Sequence, residues 1–301
     1  SREYLDGVAS ATAVVARETL QRAQIPSAGT GPHFIFHSAF CCSTLLARAL
    51  DIPGRSMGYK EPTILNDLAA LHRAGHLAER DLRLVLALLG RPLAAGETIV
   101  IKPSNEANVL IEPILAVCPG AQALLLHAPL PSFLRSLAKK GLWGRAWGRR
   151  LYALLARDGG RGFGFSAAEI FEQTDLQIAA LAWLIQQRQF AEVAQAMPAR
   201  VRTLDSETLL ADPTGAMAGA AALFGFDLPA AEAEAIAAGP AFSEHAKQIG
   251  RGYDSTSRAA EQAAVQAAHD EEIGMVCQWA AAVARHGGIP LTLPLPLIGS
   301  G

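Results

Sequence analysis

Five short apolar segments, separated by helical patterns, limit the folds open to this chain of 301 residues. They read HFIFH, RSMGY, TIVIK, AQALLLH and RVRTLD, and they occupy residues 33–37, 55–59, 98–102, 121–127 and 200–205. Helical periodicity fills the intervals between them, at residues 43–50, 63–74, 79–89, 107–117 and 131–140. Strands that alternate with helices form a mostly parallel sheet with helices on both faces. The pattern therefore predicts an α/β protein with three layers around a central, mostly parallel sheet.

The rest of the chain has mainly helical patterns. Residues 1–24 carry apolar side chains at helical spacing, and residues 255–286 form an Ala-rich stretch that is typical of a core-packing or homodimer helix. We predict three regions: an N-terminal helix with its linker at 1–32, an α/β core at 33–228, and a C-terminal helical region with a Pro-rich tail at 229–301. Within the core, a large helical annex is expected as an insertion at about 141–198.

The charge balance and the cysteine content exclude several classes of protein. The formal net charge of −2 gives no global reason to expect a nucleic-acid partner. No apolar run approaches the roughly 18 residues of a membrane span, and the N-terminus lacks a signal-peptide pattern. We therefore expect a cytoplasmic protein without a transmembrane segment. The four cysteines fit neither a disulfide framework nor a metal-binding spacing, and no metal is expected: Cys41, Cys42, Cys118 and Cys277.

One segment departs strongly from this charge balance. Residues 135–161 contain eight basic residues and one acidic residue, a net charge of +7 that leaves −9 for the remainder of the chain. Trp143 and Trp147 lie four residues apart, as do Arg145 and Arg149, so a helix would separate an aromatic face from a basic face. Three interpretations stay open: a lid over an anionic ligand, a contact surface for nucleic acid or acidic lipid, and a solvated helix with its Trp side chains in the core.

The loop after the first predicted strand has the features of an anion site. Small residues follow His37, and the next helix opens with Ser43 and Thr44. Backbone N–H groups and a helix N-terminus then point at one spot, which favours phosphate or sulfate. The glycines and the lysine of the nucleotide-hydrolysing loop G-x-x-x-x-G-K-[ST] are missing, so ATP hydrolysis by the usual route is not expected. The alternative interpretation is that Ser43 only caps a helix.

Three further segments carry polar residues to predicted strand ends. Lys102-Pro103 ends one strand at the edge where parallel sheets bind ligands. Another strand ends at His127-Ala128-Pro129 and runs into a helix that carries Ser136. The last strand leads into residues 205–213, which begin with Asp205 and precede a helix ending at Phe-Gly-Phe, residues 224–226.

In this order the segments resemble the sulfotransferase family, which uses 3′-phosphoadenosine 5′-phosphosulfate (PAPS) as sulfuryl donor. Residues 37–46 are similar to the family's G-x-P-R-S-G-T-T-L-L loop, Lys102-Pro103 to its K-x-P segment, residues 127–136 to its R-D-P segment, and residues 205–213 to its E-D-L-x-x-D-P segment. The resemblance covers about residues 33–228. It implies a P-loop-like fold and sulfuryl transfer to the hydroxyl or amine of a small-molecule or anionic acceptor. It also implies these donor-binding residues: Ser38, Ala39, Phe40, Cys41, Cys42, Ser43, Thr44, Lys60, His127, Ser136, Arg251 and Gly252.

Three positions depart from the family pattern. Phe40 stands where the family has a Lys or Arg on the transferred group. His127 replaces the arginine that holds the 3′-phosphate, and Ser136 falls one residue later than the family's serine. Three residues are candidates to supply the missing cation: Arg48, Lys60 and Lys102.

Sulfuryl transfer depends on positioning, charge stabilisation and a base for the acceptor's proton. The resemblance favours Glu61 as that base, and the alternative is an ordinary surface pair with Lys60. His37 is the rival base, because it ends the first strand beside the loop. Lys102 is predicted to stabilise charge, and the alternative is a surface lysine at a strand terminus. Two other functions stay open: an ATP- and Mg²⁺-dependent kinase-like phosphotransferase on the same fold, and a non-catalytic anion-binding scaffold.

Overall fold

Five parallel strands form the centre of the molecule. The computed structural model describes residues 31–158, 163–239 and 255–299, together with residues 18, 19 and 242, and of residues 255–270 it describes only the backbone. The strands are β1 (His33–His37), β2 (Ser56–Lys60), β3 (Thr98–Lys102), β4 (Ala123–His127) and β5 (Val201–Asp205). They lie in the order β2-β3-β1-β4-β5, and every pairing is parallel. The predicted α/β fold with a parallel sheet is confirmed.

The helices follow the predicted periodicity closely. They are α1 (Ser43–Ala49), α2 (Thr63–Arg73), α3 (Glu79–Leu89), α4 (Ile111–Val117), α5 (Leu130–Ala138), α6 (Gly141–Leu155), α7 (Ala167–Glu172), α8 (Asp175–Ala196), α9 (Ser206–Ala211), α10 (Pro213–Phe224), α11 (Ala230–Ala237) and α12 (Ser255–His286). A 3₁₀ helix, Asn105–Leu110, precedes α4. Among the helices described, none combines the length and the apolar character that crossing a membrane requires.

Several predicted bounds need correction. β4 begins two residues later than predicted, and β5 begins one residue later. β2 begins one residue later than predicted, because Arg55 belongs to the preceding turn. In that turn the N–H of Arg55 donates a hydrogen bond to the carbonyl of Ile52 (3.0 Å). The single helix predicted at 107–117 is divided into the 3₁₀ helix and α4. Pro113 has no N–H, so an α-helix running through this point lacks the hydrogen bond to the carbonyl of Val109. The chain changes from 3₁₀ to α geometry between these two residues.

Side chains alternate across the sheet and fill a core on each face. On β1, Ile35 lies in the core that also contains Leu124 and Leu126 of β4, while Phe34 and Phe36 lie in the opposite core. Residues of α1, α5, α8, α10 and α12 close the first core, and residues of α2, α3, α4 and the 3₁₀ helix close the second. Helices therefore cover both faces of the sheet, which is the predicted three-layer arrangement.

The predicted helical annex consists of α6, α7 and α8. α8 begins with a capping box, in which the Thr174 hydroxyl accepts the N–H of Gln177 and the Gln177 side chain accepts the N–H of Thr174. It is buried along most of its length and contacts α5, α6, α12 and β5, so the annex packs on the sheet. The limits of the three predicted regions stay predictions. The helix predicted at 1–24 lies outside the described residues except for residues 18 and 19, which are helical.

The C-terminal tail lies beside the edge strand β5. Thr203 donates its N–H to the carbonyl of Leu295 (2.9 Å), and Leu297 donates its N–H to the carbonyl of Thr203 (2.7 Å). Unpaired backbone groups on an edge strand favour pairing with other chains. The tail therefore covers part of the edge that β5 would otherwise expose.

Candidate anion-binding site

Each of the five strands ends at a titratable side chain. Across the carboxyl edge of the sheet these side chains form a strand-end row, in the order Lys60, Lys102, His37, His127 and Asp205. The chain places β2 and β3 on one side of β1, and β4 and β5 on the other. Ligands of parallel sheets bind where the strand order reverses in this way. The candidate site is therefore the loop that follows β1, at the centre of the row.

This loop has an unusual backbone. Ala39, Phe40 and Cys42 have φ angles of 69°, 52° and 62°. For residues other than glycine, the left-handed region costs about 1–2 kcal/mol. Such strain persists where surrounding contacts impose it, and it is concentrated at ligand-binding sites. Three residues of this loop thus adopt the backbone conformation for which glycine is the usual residue.

Contacts with β4 hold the loop in place. Ser38 donates its N–H to the carbonyl of Leu126 (3.1 Å), and the Cys41 thiol donates to the same carbonyl (3.4 Å). The Ser38 hydroxyl accepts the N–H of Ala128 (3.4 Å). Cys41 is fully buried, and burial raises the pKa of its thiol to about 11. Cys41 is therefore a neutral, structural residue of the loop at neutral pH.

Helix α1 begins directly after the loop. Its N-cap residue is Cys42, and no side chain caps the helix. Ser43 is the first helical residue, so it is not the cap that the alternative interpretation required. The first N–H groups of a helix have no intrahelical partner, and the helix dipole makes this end positive. The amides of Ser43 and Thr44 thus lie at the centre of the strand-end row with the polarity that suits an anion.

His37 connects the loop with the end of β3. The N–H of Ala39 donates to Nδ1 of His37 (3.1 Å), so Nδ1 carries a lone pair and Nε2 carries the proton. Nε2 in turn donates to the carbonyl of Pro103 (3.1 Å). In this arrangement both ring nitrogens serve backbone groups. His37 therefore positions the loop, and its geometry does not favour the predicted role as a base.

Lys102 and Glu61, predicted as the charge-stabilising residue and the base, form one ion pair. The Nζ of Lys102 donates to Oε1 of Glu61 at 2.5 Å, and the N–H of Glu61 donates to the carbonyl of Lys102 at 2.6 Å. The Lys102 side chain is 1% exposed and the Glu61 side chain 51%. Burial raises the pKa of the Cys41 thiol, and the nearby charge of Lys102 opposes this effect in part.

Phe40, which occupies the position of the family's cation, packs in an aromatic cluster. Its ring centroid lies 5.9 Å from that of Phe133 in α5 and 5.1 Å from that of Trp147 in α6. Trp147 stacks on Trp143 at 6.4 Å, and Trp143 is 61% exposed. Aromatic packing thus fixes the strained loop to two helices, and two indole rings lie close enough to respond to a change in it.

The other half of the strand-end row is a histidine–carboxylate pair. Nδ1 of His127 lies 3.9 Å from Oδ2 of Asp205, and the two side chains are 7% and 29% exposed. Burial lowers the pKa of His127 to about 4, so the ring is neutral at neutral pH. Burial also raises the pKa of Asp205, against the smaller effect of the Glu207 and Thr208 N–H groups. That His127 holds a 3′-phosphate stays a prediction, and a neutral ring beside a carboxylate does not favour it.

The remaining predicted residues lie away from the loop. Lys60 is exposed at the end of β2, two strands from β1. Arg48 is in the last turn of α1, at the end opposite the loop. Ser136 is half-buried in α5, about 9 Å along the helix axis from Leu130. The predicted 3′-phosphate loop with Arg251 and Gly252 lies outside the described residues.

Ion pairs with other helices use part of the basic segment 135–161. Arg145 makes two hydrogen bonds to Glu272 of α12 (3.1 and 2.9 Å), and Arg149 pairs with Asp175 of α8. These arginines hold α6 against its neighbours. The interpretation of this segment as a lid over an anion therefore has less available charge than +7 indicates.

The 3₁₀ helix Asn105–Leu110 contributes contacts that the sequence analysis missed. Asn108 donates from Nδ2 to the carbonyl of His37 (3.0 Å), and its own carbonyl accepts from Gln189 (2.8 Å). Nδ2 of Asn105 and Oδ1 of Asn108 are buried without a partner. Two asparagines within six residues of a strand that ends in lysine were the available signal, because buried polar side chains near a strand end are frequent at binding sites.

By its fold and its loop, this chain is an α/β protein with a candidate anion site at the point where the strand order of its parallel sheet reverses. Compared with known proteins, the chain matches no protein-family model and no curated protein. Among the residues with described positions, no group of three or more His, Cys, Asp or Glu side chains is placed to hold a metal ion.

Proposed function

We propose that this protein is a sulfotransferase, which moves a sulfuryl group from PAPS to a hydroxyl or amine acceptor. One observation carries the proposal: the strained loop at residues 38–42 leads into the uncapped N-terminus of α1 where the strand order reverses. Residues 38–44 bind the 5′-phosphosulfate through backbone amides and the hydroxyls of Ser43 and Thr44. The ordered segments that resemble the family support the same function.

Lys102 provides the positive charge in this proposal. As the donor's bond to sulfur breaks, negative charge grows on the oxygen that stays with the phosphate. A buried ammonium stabilises that charge more than an exposed one does, because little water screens it. Lys102 is 1% exposed, and its charge acts on the loop residue Cys41. In this proposal it takes the place of the cation that is missing at Phe40, and its charge is no longer neutralised once Glu61 takes up the acceptor's proton.

Glu61 is the base in this proposal. The acceptor oxygen or nitrogen attacks sulfur, the bond from sulfur to the phosphate oxygen breaks, and the acceptor's proton passes to the Glu61 carboxylate. Its side chain is half exposed, so an acceptor can reach it, and its contact with Lys102 holds it at the end of β3, the strand next to β1. His37, the rival base, has both ring nitrogens bonded to backbone groups.

Calorimetric titration with 3′-phosphoadenosine 5′-phosphate, the product of PAPS, and with ATP tests this function. We expect one molecule of the bisphosphate to bind per chain and ATP to bind at least tenfold more weakly. Preference for ATP supports the kinase-like alternative instead. Failure of both nucleotides to bind contradicts both enzymes.

Tryptophan fluorescence tests whether the nucleotide binds at the loop. Since Trp147 contacts Phe40, we expect the bisphosphate to change the emission of the protein. Trp147→Phe should remove most of the change. Trp279→Phe is the matched control, because Trp279 stacks on Phe165 outside the loop's aromatic cluster. A response that disappears with Trp279 and persists without Trp147 places the ligand elsewhere.

A further inference from the structure

Buried polar atoms without a hydrogen-bond partner are concentrated at the carboxyl edge of the sheet. Six side-chain nitrogen or oxygen atoms of the described residues are buried and unpartnered. Those of Asn105, His127 and Ser206 lie at a strand end or within three residues after it. Native proteins leave few such atoms, and each one requires an explanation. Two of the three belong to the ends of β4 and β5, on the opposite side of β1 from Lys102.

The pair of His127 and Asp205 has a definite hydrogen-bonding character. Nδ1 faces the carboxylate oxygen at 3.9 Å, which is too long for a hydrogen bond. A proton on Nδ1 points its positive end at that oxygen, whereas a lone pair there would face a negative charge. The favoured tautomer of the neutral ring therefore has its proton on Nδ1 and its lone pair on Nε2. In the described part of the protein, Nε2 makes no hydrogen bond, and it is not fully enclosed.

Two hydrogen-bond acceptors thus lie at the ends of β4 and β5. One is Nε2 of His127, and the other is the carboxylate of Asp205, of which 29% is exposed. A phosphate offers acceptors of its own and carries negative charge, so a carboxylate repels it. A hydroxyl donates a hydrogen bond to either acceptor and meets no electrostatic repulsion. The chemistry of the pair selects a hydroxyl.

The position of the pair indicates which hydroxyl it binds. Neighbouring strands lie about 4.8 Å apart, so His127 ends about 5 Å and Asp205 about 10 Å from the end of β1. The loop itself contacts this side, because the Ser38 hydroxyl accepts the N–H of Ala128, the residue after His127. In a nucleotide whose 5′-phosphate lies on the loop, the ribose is the group attached directly to that phosphate. Its hydroxyls are within reach of the pair.

We propose that His127 and Asp205 form a subsite that binds a hydroxyl of the donor nucleotide's ribose. The subsite rests on the proposed function, because the loop must first hold the 5′-phosphate. A ribose hydroxyl donates to Asp205 or to Nε2 of His127, and a phosphate on the ribose is directed away from this pair. His127 thus accepts a hydrogen bond from a hydroxyl, and the cation for a 3′-phosphate comes from another part of the chain.

The test compares adenosine 5′-phosphate with its 2′-deoxy and 3′-deoxy forms by calorimetric titration, in the wild type and in Asp205→Asn. Asparagine caps a helix as well as aspartate does, so α9 keeps its start. The proposed donor carries a phosphate at the 3′ position, so the hydroxyl that the subsite binds is the 2′-hydroxyl. We expect removal of the 3′-hydroxyl to change binding little and removal of the 2′-hydroxyl to weaken it about tenfold or more, as for a hydrogen bond to a charged acceptor. Asp205→Asn should weaken the parent nucleotide and leave the 2′-deoxy form nearly unaffected, which couples the hydroxyl to the carboxylate.

The bisphosphate supplies a test of sign. If a phosphate occupied the subsite, Asp205→Asn would remove a repulsion and strengthen the binding of 3′-phosphoadenosine 5′-phosphate, and that result overturns the proposal. Asp212→Asn is the matched control, because Asp212 caps the next helix, α10, and should change no affinity. Equal binding of all deoxy forms overturns the subsite and leaves the proposed function intact. Failure of the wild type to bind either nucleotide overturns both.

Discussion

Ala39 carries one of the most direct consequences of the loop geometry, because it has a left-handed backbone without being glycine. Ala39→Gly relieves a cost of about 1–2 kcal/mol in the folded state and loses about 0.4–1 kcal/mol through the freer unfolded chain. We expect a net gain in the free energy of unfolding of about 0.5–1 kcal/mol in urea denaturation. Ala70→Gly, at an exposed position inside α2, should instead lose about 1 kcal/mol. A loss for both variants contradicts the left-handed loop.

A second residue-scale prediction separates Lys102 from its neighbour in the sheet. Lys60 and Lys102 are paired in register, yet Lys60 is exposed and Lys102 is 1% exposed. Lys102→Met removes a buried charge beside the loop and should weaken binding of 3′-phosphoadenosine 5′-phosphate about tenfold or more, as for a charge-assisted hydrogen bond. Lys60→Met should change it less than about twofold, because water screens an exposed charge. Equal losses in calorimetric titration would show a general effect of charge.

At the scale of elements, one bidentate ion pair and a neighbouring hydrogen bond join helix α2, the 3₁₀ helix and the end of the annex helix α6. Arg73 of α2 donates to both carboxylate oxygens of Asp158, just after α6 (2.7 and 2.8 Å), and to the carbonyl of Glu106 in the 3₁₀ helix (2.7 Å). The 3₁₀ helix in turn holds the carbonyl of His37 through Asn108. The pair therefore supports an element that contacts the candidate site.

Asp158→Asn tests that support. Asp158 is 5% exposed and Arg73 16%, and breaking a buried pair leaves a charge without compensation. We expect a loss of about 3 kcal/mol in the free energy of unfolding. Glu79→Gln provides the control, because Glu79 and Arg83 form an exposed pair one helical turn apart, which contributes less than about 0.5 kcal/mol. Comparable losses in urea denaturation would contradict the structural role of Asp158.

Elements were predictable from the sequence to the extent that periodicity encodes them. The alternation in TIVIK and the helical spacing in residues 79–89 depend on neighbouring residues alone, and both elements are found with those bounds. Pro113 divided a predicted helix because one missing N–H outweighed the apolar spacing.

The site was predictable only in part. That strands end in Lys102 and His127 is visible in the sequence. The pairing of Glu61 with Lys102 joins residues 41 positions apart and depends on the strand order, which local patterns do not contain. The left-handed backbone at Ala39 is equally hidden, because alanine has no local preference for it and the contacts with β4 impose it.

At the scale of the whole molecule, two buried histidines predict how stability depends on pH. His33 at the start of β1 and His127 at the end of β4 are neutral in the folded protein, because burial lowers the pKa of each from 6.5 to about 4. The unfolded chain binds protons at these residues near pH 6.5, and the folded chain does so only near pH 4. The contribution of these two histidines to the free energy of unfolding is therefore fully present above about pH 6.5, and it is lost as the pH decreases toward 4.

Urea denaturation between pH 4.5 and 7 measures this dependence. Each histidine contributes up to about 1.4 kcal/mol per pH unit within the window. His127→Gln should reduce the slope, while His76→Gln, at an exposed position, should leave it unchanged. A wild-type stability that stays constant from pH 6.5 to 4.5 contradicts the burial of neutral histidines.

The net charge of −2 conceals the property on which the proposed function depends. A buried lysine, a helix N-terminus and a strained loop meet at the centre of the sheet, although the chain as a whole is nearly neutral. A crystal structure with 3′-phosphoadenosine 5′-phosphate tests this convergence most directly. We expect the 5′-phosphate oxygens within hydrogen-bond distance of the amides of residues 38–44. A nucleotide bound at the arginines of α6, with the loop left empty, would contradict the account.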